Sequence, residues 1–91
     1  MVLEYTISKK LMQKINKLSK KDVSLKKAIF NKINEIIDSD EITILHYKFL
    51  KYDSEKRQRV HIKKHFVLTF IYLKENAVVF LDFDHHDKIY K

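Results

Sequence analysis

The chain of 91 residues contains neither glycine nor proline. Tight turns use these two residues most readily, because glycine tolerates positive φ angles and proline restricts φ to a value that turns need. Every connection must therefore be built from residues such as asparagine, aspartate, serine and lysine, at some conformational cost. Clusters of these polar residues between apolar segments mark the expected turns.

Length and composition predict one small domain spanning residues 1–91. The apolar share of 45% is ordinary for a folded protein. The absence of cysteine excludes disulfides, thiolate zinc sites and a cysteine nucleophile. The longest apolar run is too short to span a bilayer, so we expect a cytoplasmic protein without a membrane partner.

The chain is strongly basic, with 19 Lys and Arg against 12 Asp and Glu and a net charge of +7. This excess favours an anionic partner, which can be RNA, DNA or an acidic protein. A lysine surface that only keeps the protein soluble is the alternative interpretation. Arg57, Arg59 and all five histidines follow residue 45, which concentrates the phosphate-binding and proton-carrying groups in the second half.

Two helices are predicted in the first half. Apolar residues recur at helical spacing over about 9–19, and Ser8 is placed to cap this helix. The second helix follows a break, and either Asp22 or Ser24 can be its N-cap. It ends near Asp38, and the short break predicts that the two helices are adjacent and antiparallel.

Strands are predicted on both sides of these helices, at residues 2–7, 57–62, 66–73 and 77–83. Residues 42–52 are extended but irregular, and turns are expected at 63–65 and 74–76. The order β-α-α-β-β-β predicts an α+β fold, in which the two helices cover one face of a mainly antiparallel, twisted sheet.

The strand at 57–62 carries the first candidate site. Because strand side chains alternate between faces, Arg57, Arg59 and His61 share one face. An open sheet face with guanidinium and imidazole groups can bind phosphates and transfer protons. A solvated sheet face without function is the alternative interpretation.

Lys63, Lys64 and His65 form the turn that is expected next. If the chain turned on the two lysines alone, His65 would lie opposite Ile62 on the covered face. A turn that includes His65 is favoured because no glycine is available for a two-residue turn. That turn would place the imidazole at its tip, near the open face.

The C-terminal residues His85, His86, Asp87 and Tyr90 form the second cluster. A neighbouring carboxylate can hold an imidazole in one tautomer, and a tyrosine hydroxyl can donate to a phosphate or exchange protons. For Tyr90 the alternative is an aromatic anchor that holds the C terminus on the sheet. His-His-Asp is a weak metal motif, so we expect neither a metal site nor a cofactor.

Two of these segments resemble the RelE/ParE superfamily of toxins from toxin–antitoxin systems. Residues 57–62, RQRVHI, followed by the apolar strand 66–72, resemble the paired central strands of that family. Residues 85–90, HHDKIY, resemble its C-terminal motif, in which a basic residue precedes an aromatic residue by four positions. The resemblance covers nearly the whole chain and implies the RelE-like form of the predicted fold.

In the RelE branch, basic groups on the central strands and a C-terminal arginine and tyrosine cut messenger RNA within the ribosome. The resemblance puts Arg59 and His61 at the two strand positions, and His86 and Tyr90 at the two C-terminal ones. Phe66 departs from that branch, which usually has arginine there.

The YafQ-like branch is the more similar one. His61, His86 and Tyr90 match its strand histidine, its C-terminal histidine and its aromatic residue. His65 stands where that branch has an acidic residue, and Leu50 where it has a further histidine.

The resemblance and the residue chemistry together predict a toxin that is an endoribonuclease cleaving mRNA on the ribosome. We expect His61 and His86 to transfer protons, Arg59 to stabilise the phosphate, and Tyr90 to position it. The candidate RNA-binding residues are Arg57, Lys63, Lys64, His65 and His85. The resemblance also implies a cognate acidic antitoxin protein as partner.

Two other functions fit the same sequence. A ParE-like gyrase inhibitor would share the fold but would need no proton carriers, and the five histidines argue against it. A non-catalytic basic RNA-binding module is the second alternative, and the departures at Leu50 and Phe66 favour it.

Overall fold

The computed structural model describes residues 3–50, 57–73 and 77–89. It has the predicted element order with two additional short helices. The elements are β1 (Glu4–Ile7), α1 (Lys9–Lys21), α2 (Val23–Ile37), α3 (Glu41–Ile44), β2 (Gln58–Ile62), β3 (Phe66–Leu73), β4 (Ala77–His85) and α4 (His86–Ile89). No helix in the described part is long and apolar enough to cross a membrane. The turn predicted at 74–76 lies outside the described residues.

The two long helices begin at the predicted polar caps. The Ser8 hydroxyl accepts a hydrogen bond from the backbone N–H of Leu11 at 3.1 Å, and the Asp22 carboxylate accepts one from Leu25 at 3.0 Å. These bonds satisfy N–H groups that have no partner inside the helix. Asp22 is also the one residue between the helices, so α1 continues to Lys21, beyond its predicted end near residue 19.

The helix α3 corrects the prediction of an extended segment over 42–52, whose last two residues lie outside the described part. The Asp40 side chain accepts a hydrogen bond from the backbone N–H of Thr43 at 2.7 Å and so caps the helix. After α3, the Tyr47 ring packs edge-on against Phe70 at a centroid distance of 5.6 Å. A local cap and an aromatic anchor therefore outweigh the β-propensity of this stretch.

The four strands form one sheet in the order β1-β4-β3-β2. The neighbours β2, β3 and β4 pair antiparallel, as predicted, whereas β1 pairs parallel with β4. The sheet is therefore mixed: the helices carry the chain from β1 to β2 at the opposite edge, and the two antiparallel pairings that follow bring β4 back beside β1 in parallel orientation. A register shift follows Thr69, whose partner is Asp82, while Phe70 pairs with Phe80 and Leu81 is left as the bulged residue.

The core lies between the sheet and the two long helices. Its most deeply buried members include Leu11, Ile15, Ile29 and Ile33 from the helices and Leu68, Phe70 and Phe80 from the strands. Each such side chain contributes about 1.5–3 kcal/mol when it leaves water, so this face sets the stability of the fold. The candidate functional groups of β2 project from the opposite face.

The turn between β2 and β3 contains Lys63, Lys64 and His65, as predicted, because Ile62 pairs with Phe66. Lys63 adopts a φ of 51°, in the left-handed region. This conformation is costly for a residue with a Cβ atom and is where glycine would ordinarily be found.

Candidate active site

The strand β2 separates its functional groups from its core groups by simple alternation. Gln58 and Ile62 are 1% and 2% exposed and face the helices. Arg59 and His61 project to the other side, where His61 is exposed and Arg59 is half-buried. The predicted sharing of one face by Arg59 and His61 is therefore confirmed for the strand itself. Arg57 precedes the strand and is half-buried.

The structure brings His61 and His86 together. Their imidazole rings are stacked with centroids 5.7 Å apart and an interplanar angle of 26°. The strand register explains the approach, because His61 pairs with Val67, and Val67 pairs with Asp84, two residues before His86. The helix α4 then turns His86 back toward the turn, and its backbone N–H donates to the carbonyl oxygen of His65 at 2.7 Å.

The rings of His65 and His85 form a second pair, nearly parallel at 3° with centroids 6.0 Å apart. His85 pairs in register with Phe66, and the two rings meet edge to face at 5.6 Å. Since residues directly opposed across strands share a face, His85 lies on the side of Phe66 and Ile62, which the helices cover. The turn includes His65, but its ring pairs with His85 and not with His61.

The carboxylate of Asp87 lies beside both histidines of the C-terminal cluster. Its oxygens are 3.7 Å from Nδ1 of His85 and 3.6 Å from Nδ1 of His86. The backbone N–H of Asp87 donates to Nδ1 of His85 at 3.3 Å, which selects the tautomer protonated on Nε2. Among the described residues, no group of three or more His, Cys, Asp or Glu side chains is arranged to hold a metal ion.

The remaining predicted site residues are less closely associated. Lys63 donates from Nζ to the Ser24 hydroxyl at 2.7 Å, and Lys64 is exposed. The carbonyl oxygen of Arg57 accepts from the backbone N–H of Leu50 at 2.9 Å. Tyr90 lies outside the described residues, so its predicted role stays a prediction.

An ion network on β4 was not predicted from the sequence. Nζ of Lys14 on α1 lies 2.8 Å from Asp82 Oδ1 and 2.9 Å from Asp84 Oδ2, and Lys10 lies 3.2 Å from Asp82. Lys88 approaches Asp84 at 3.9 Å. A signal was present, since Asp82 and Asp84 alternate on one strand and the two lysines of α1 are four residues apart.

These contacts change the pKa values of Lys14, Asp82 and Asp84. Burial disfavours the charged carboxylates, but the hydrogen bonds and charge of Lys14 outweigh that penalty and hold the pKa of both Asp82 and Asp84 below the usual range. For Lys14 burial also disfavours the charge, yet the two carboxylates raise the pKa above its ordinary value. All three groups are therefore ionised at neutral pH.

Comparison with known proteins identifies relatives of similar length. A Methanocaldococcus jannaschii protein named "Putative toxin RelE4" is 44% identical over 89 residues, which cover 97% of this chain and 90% of the relative. An uncharacterized protein of Methanosarcina mazei is 42% identical over 85 residues, covering 92% of this chain and 94% of that protein. No protein-family model matches the chain.

The fold is also found among solved structures. The crystal structure of a metal-bound toxin from Helicobacter pylori aligns with a TM-score of 0.72 and 22% identity, over 96% of this chain and 98% of that one. The chain therefore shares its fold with a protein whose sequence is much less similar than the sequences of the two relatives. The relative of 44% identity over most of the chain shows that the protein belongs to the RelE family of toxins, the toxin components of toxin–antitoxin systems.

Proposed function

We propose that this toxin is an endoribonuclease that cleaves mRNA in the ribosomal A site. The approach of His61 and His86 is the observation that carries the proposal. Two imidazoles from distant parts of the chain lie 5.7 Å apart, and both are exposed. Imidazole can accept or donate a proton near neutral pH, so such a pair can serve as base and acid in one reaction.

The reaction that fits this pair is transfer of the RNA phosphate to the neighbouring ribose hydroxyl. One imidazole accepts the proton of the 2′-OH as its oxygen attacks phosphorus. The other donates a proton to the 5′-oxygen as the P–O5′ bond breaks. The products are a 2′,3′-cyclic phosphate and a free 5′-OH. Both histidines are exposed, so either can reach the 2′-OH as base while the other acts as acid.

Cationic groups around the pair suit a phosphate whose negative charge increases in the transition state. Arg59 is two residues from His61 on the same face of β2, where its guanidinium could bind two phosphate oxygens. Arg57, Lys63 and Lys64 lie at the two ends of that strand and would contact neighbouring phosphates. His65 and His85 would contact RNA only where it passes the end of the sheet. Affinity for RNA should therefore decrease steeply with salt.

The partner that regulates this activity would be an acidic antitoxin. The toxin carries a net charge of +7, so an acidic segment would gain favourable long-range attraction. By covering His61 and Arg59, such a partner would exclude mRNA from the same face. This partner follows from membership of a toxin–antitoxin family.

The test uses purified protein, ribosomes programmed with mRNA, and primer-extension mapping of the cut ends. We expect codon-phased cleavage, and a loss of about 10²–10⁴-fold in rate on His61→Ala or His86→Ala. His46→Ala is the matched control, because His46 is exposed but follows α3 and takes no part in the pair. It should retain the wild-type rate.

Other results would identify the alternative functions. Cleavage at the wild-type rate by both His61→Ala and His86→Ala would remove the pair from the mechanism. Bound but uncut mRNA would identify a non-catalytic RNA-binding module. Uncut mRNA together with stabilised DNA-gyrase cleavage complexes would identify a ParE-like gyrase inhibitor.

A further inference from the structure

We propose that Lys14 is a positioning residue for the RNA-binding face, which it keeps cationic by holding the carboxylates of Asp82 and Asp84. The inference rests on the proposed function. It assigns a role to a residue of α1, a helix that contacts β4, two strands away from the β2 strand that carries Arg59 and His61.

The ammonium group of Lys14 donates three hydrogen bonds within the protein. It donates to Asp82 Oδ1 at 2.8 Å, to Asp84 Oδ2 at 2.9 Å and to the carbonyl oxygen of Phe83 at 2.9 Å. A lysine ammonium has three N–H groups, so none is left for an RNA phosphate. An effect of Lys14 on RNA must therefore act through the two carboxylates.

The two carboxylates are placed where their charge would oppose RNA binding. Asp82 pairs with Thr69, and Thr69 pairs with Arg59. Asp84 is aligned with His61 in the same way, through Val67. Asp82 and Asp84 therefore project from the same face as their β2 counterparts, with their backbones two strand spacings, or about 10 Å, away.

At this spacing an unneutralised carboxylate would repel a phosphate bound at Arg59. The carboxylates are only 21% and 28% exposed, so water screens them less than it screens an open surface. Lys14, itself 30% exposed, is the nearest cation to each of them among the described residues. Lys14, together with Lys10 beside Asp82 and Lys88 near Asp84, thus offsets two negative charges that would repel the substrate.

The direct test compares Lys14→Met with Lys17→Met. Lys17 lies one turn further along the same helix, is exposed and makes no ion pair with a described residue. Both variants lower the net charge equally. Binding is measured at about 50 mM salt, where the Debye length is near 14 Å, with 2′-O-methylated RNA, which lacks the attacking hydroxyl. We expect the affinity to fall about fivefold for Lys14→Met and less than about twofold for Lys17→Met.

A double-mutant cycle then separates an indirect role from a direct one. In a background with Asp82→Asn and Asp84→Asn, Lys14→Met should change the affinity by less than about twofold, because no carboxylate remains to be neutralised. An equal, fivefold loss in both backgrounds would mean that Lys14 contacts the RNA itself and would overturn the inference.

The carboxylate variant also provides a test that does not need a folded Lys14→Met protein. With Asp82 and Asp84 both replaced by Asn, the released lysine should make RNA binding tighter than in the wild type. The control is Glu4→Gln with Asp38→Asn, which adds the same charge at exposed positions on β1 and after α2. Weaker binding by the Asp82/Asp84 variant would contradict the inference.

The two proposals fail in different ways. Equal affinities of Lys14→Met and Lys17→Met, in a protein whose wild type binds RNA, would overturn the role of Lys14 alone. No RNA binding by the wild-type toxin would overturn the proposed function and this inference with it.

Discussion

The side-chain amide of Gln58 donates a hydrogen bond to the backbone carbonyl oxygen of Ile44 over 2.7 Å, and also reaches the carbonyl of Tyr47 at 3.2 Å. Gln58 is the first residue of β2 and is almost completely buried. It thereby connects the end of α3 and the segment that follows it to the strand that presents Arg59 and His61. A buried amide with satisfied partners specifies this connection more strictly than an apolar contact would.

Gln58→Leu should lower the free energy of unfolding by about 1–3 kcal/mol, because the carbonyl groups of Ile44 and Tyr47 would lose the hydrogen bonds from the side-chain amide inside the protein. Denaturant unfolding measures this difference. Gln13→Leu is the control, since Gln13 is exposed on α1, and it should change the stability by less than about 0.5 kcal/mol. Equal effects of the two substitutions would show that the buried amide contributes nothing specific.

Lys63→Gly should stabilise the protein by on the order of 0.5 kcal/mol. Glycine removes a conformational cost of about 1 kcal/mol at the left-handed φ of this turn, and roughly half of that is offset by greater freedom of the unfolded chain. Lys64→Gly should be destabilising instead, because Lys63 is the residue with positive φ in the described turn. Thermal unfolding of both variants tests the difference, and a lower melting temperature for Lys63→Gly would contradict it.

Acid should weaken the fold through Asp82 and Asp84. Their pKa values are below the ordinary 3.8 in the folded protein, so the unfolded chain binds protons first as the pH falls. Their contribution is therefore complete above pH 3.8 and is lost as the pH falls through the lower, folded pKa.

Urea unfolding measured between about pH 2 and pH 7 tests this dependence, because that range includes the ordinary pKa of a carboxyl group. The wild type should be more stable than the Asp82→Asn, Asp84→Asn variant at neutral pH, and the difference should shrink in acid. Parallel curves for the two proteins would mean that the network does not control acid stability.

Tyr90→Phe should reduce mRNA cleavage about 10²-fold or more without lowering the melting temperature, if its hydroxyl acts on the phosphate. Tyr5→Phe provides the control, since Tyr5 is exposed on β1 and touches Phe80 with its ring. Full activity of Tyr90→Phe would leave residue 90 with at most the role of an aromatic anchor. Ribosomes programmed with a defined mRNA serve for both measurements.

The local features of this fold were predictable from neighbouring residues. Ser8 and Asp22 cap the helices as expected, because a cap needs only a side chain and an N–H group three residues later. The alternation that separates Arg59 and His61 from Ile62 is equally local. The family resemblance, carried by the segments 57–62 and 85–90, also agreed with the relatives that comparison identified.

Features that depend on distant partners were missed or left open. The parallel pairing of β1 with β4 depends on the helices carrying the chain to the far edge of the sheet, from which β2 and β3 lead back to β4. The helix α3 forms where residue propensities favoured a strand. The ring of His65 turns to His85, because the strand register brings that residue beside the turn.

The sequence by itself determined the two long helices with their caps, the four strands and the alternation along β2, because these depend on interactions within a few residues. Only the tertiary structure decided which charges and imidazoles meet. The strand register brings His61 close to His86, and the packing of α1 on β4 lets Lys14 form ion pairs with Asp82 and Asp84. No spacing along the chain encodes those distances, since they arise from the burial of the whole apolar core.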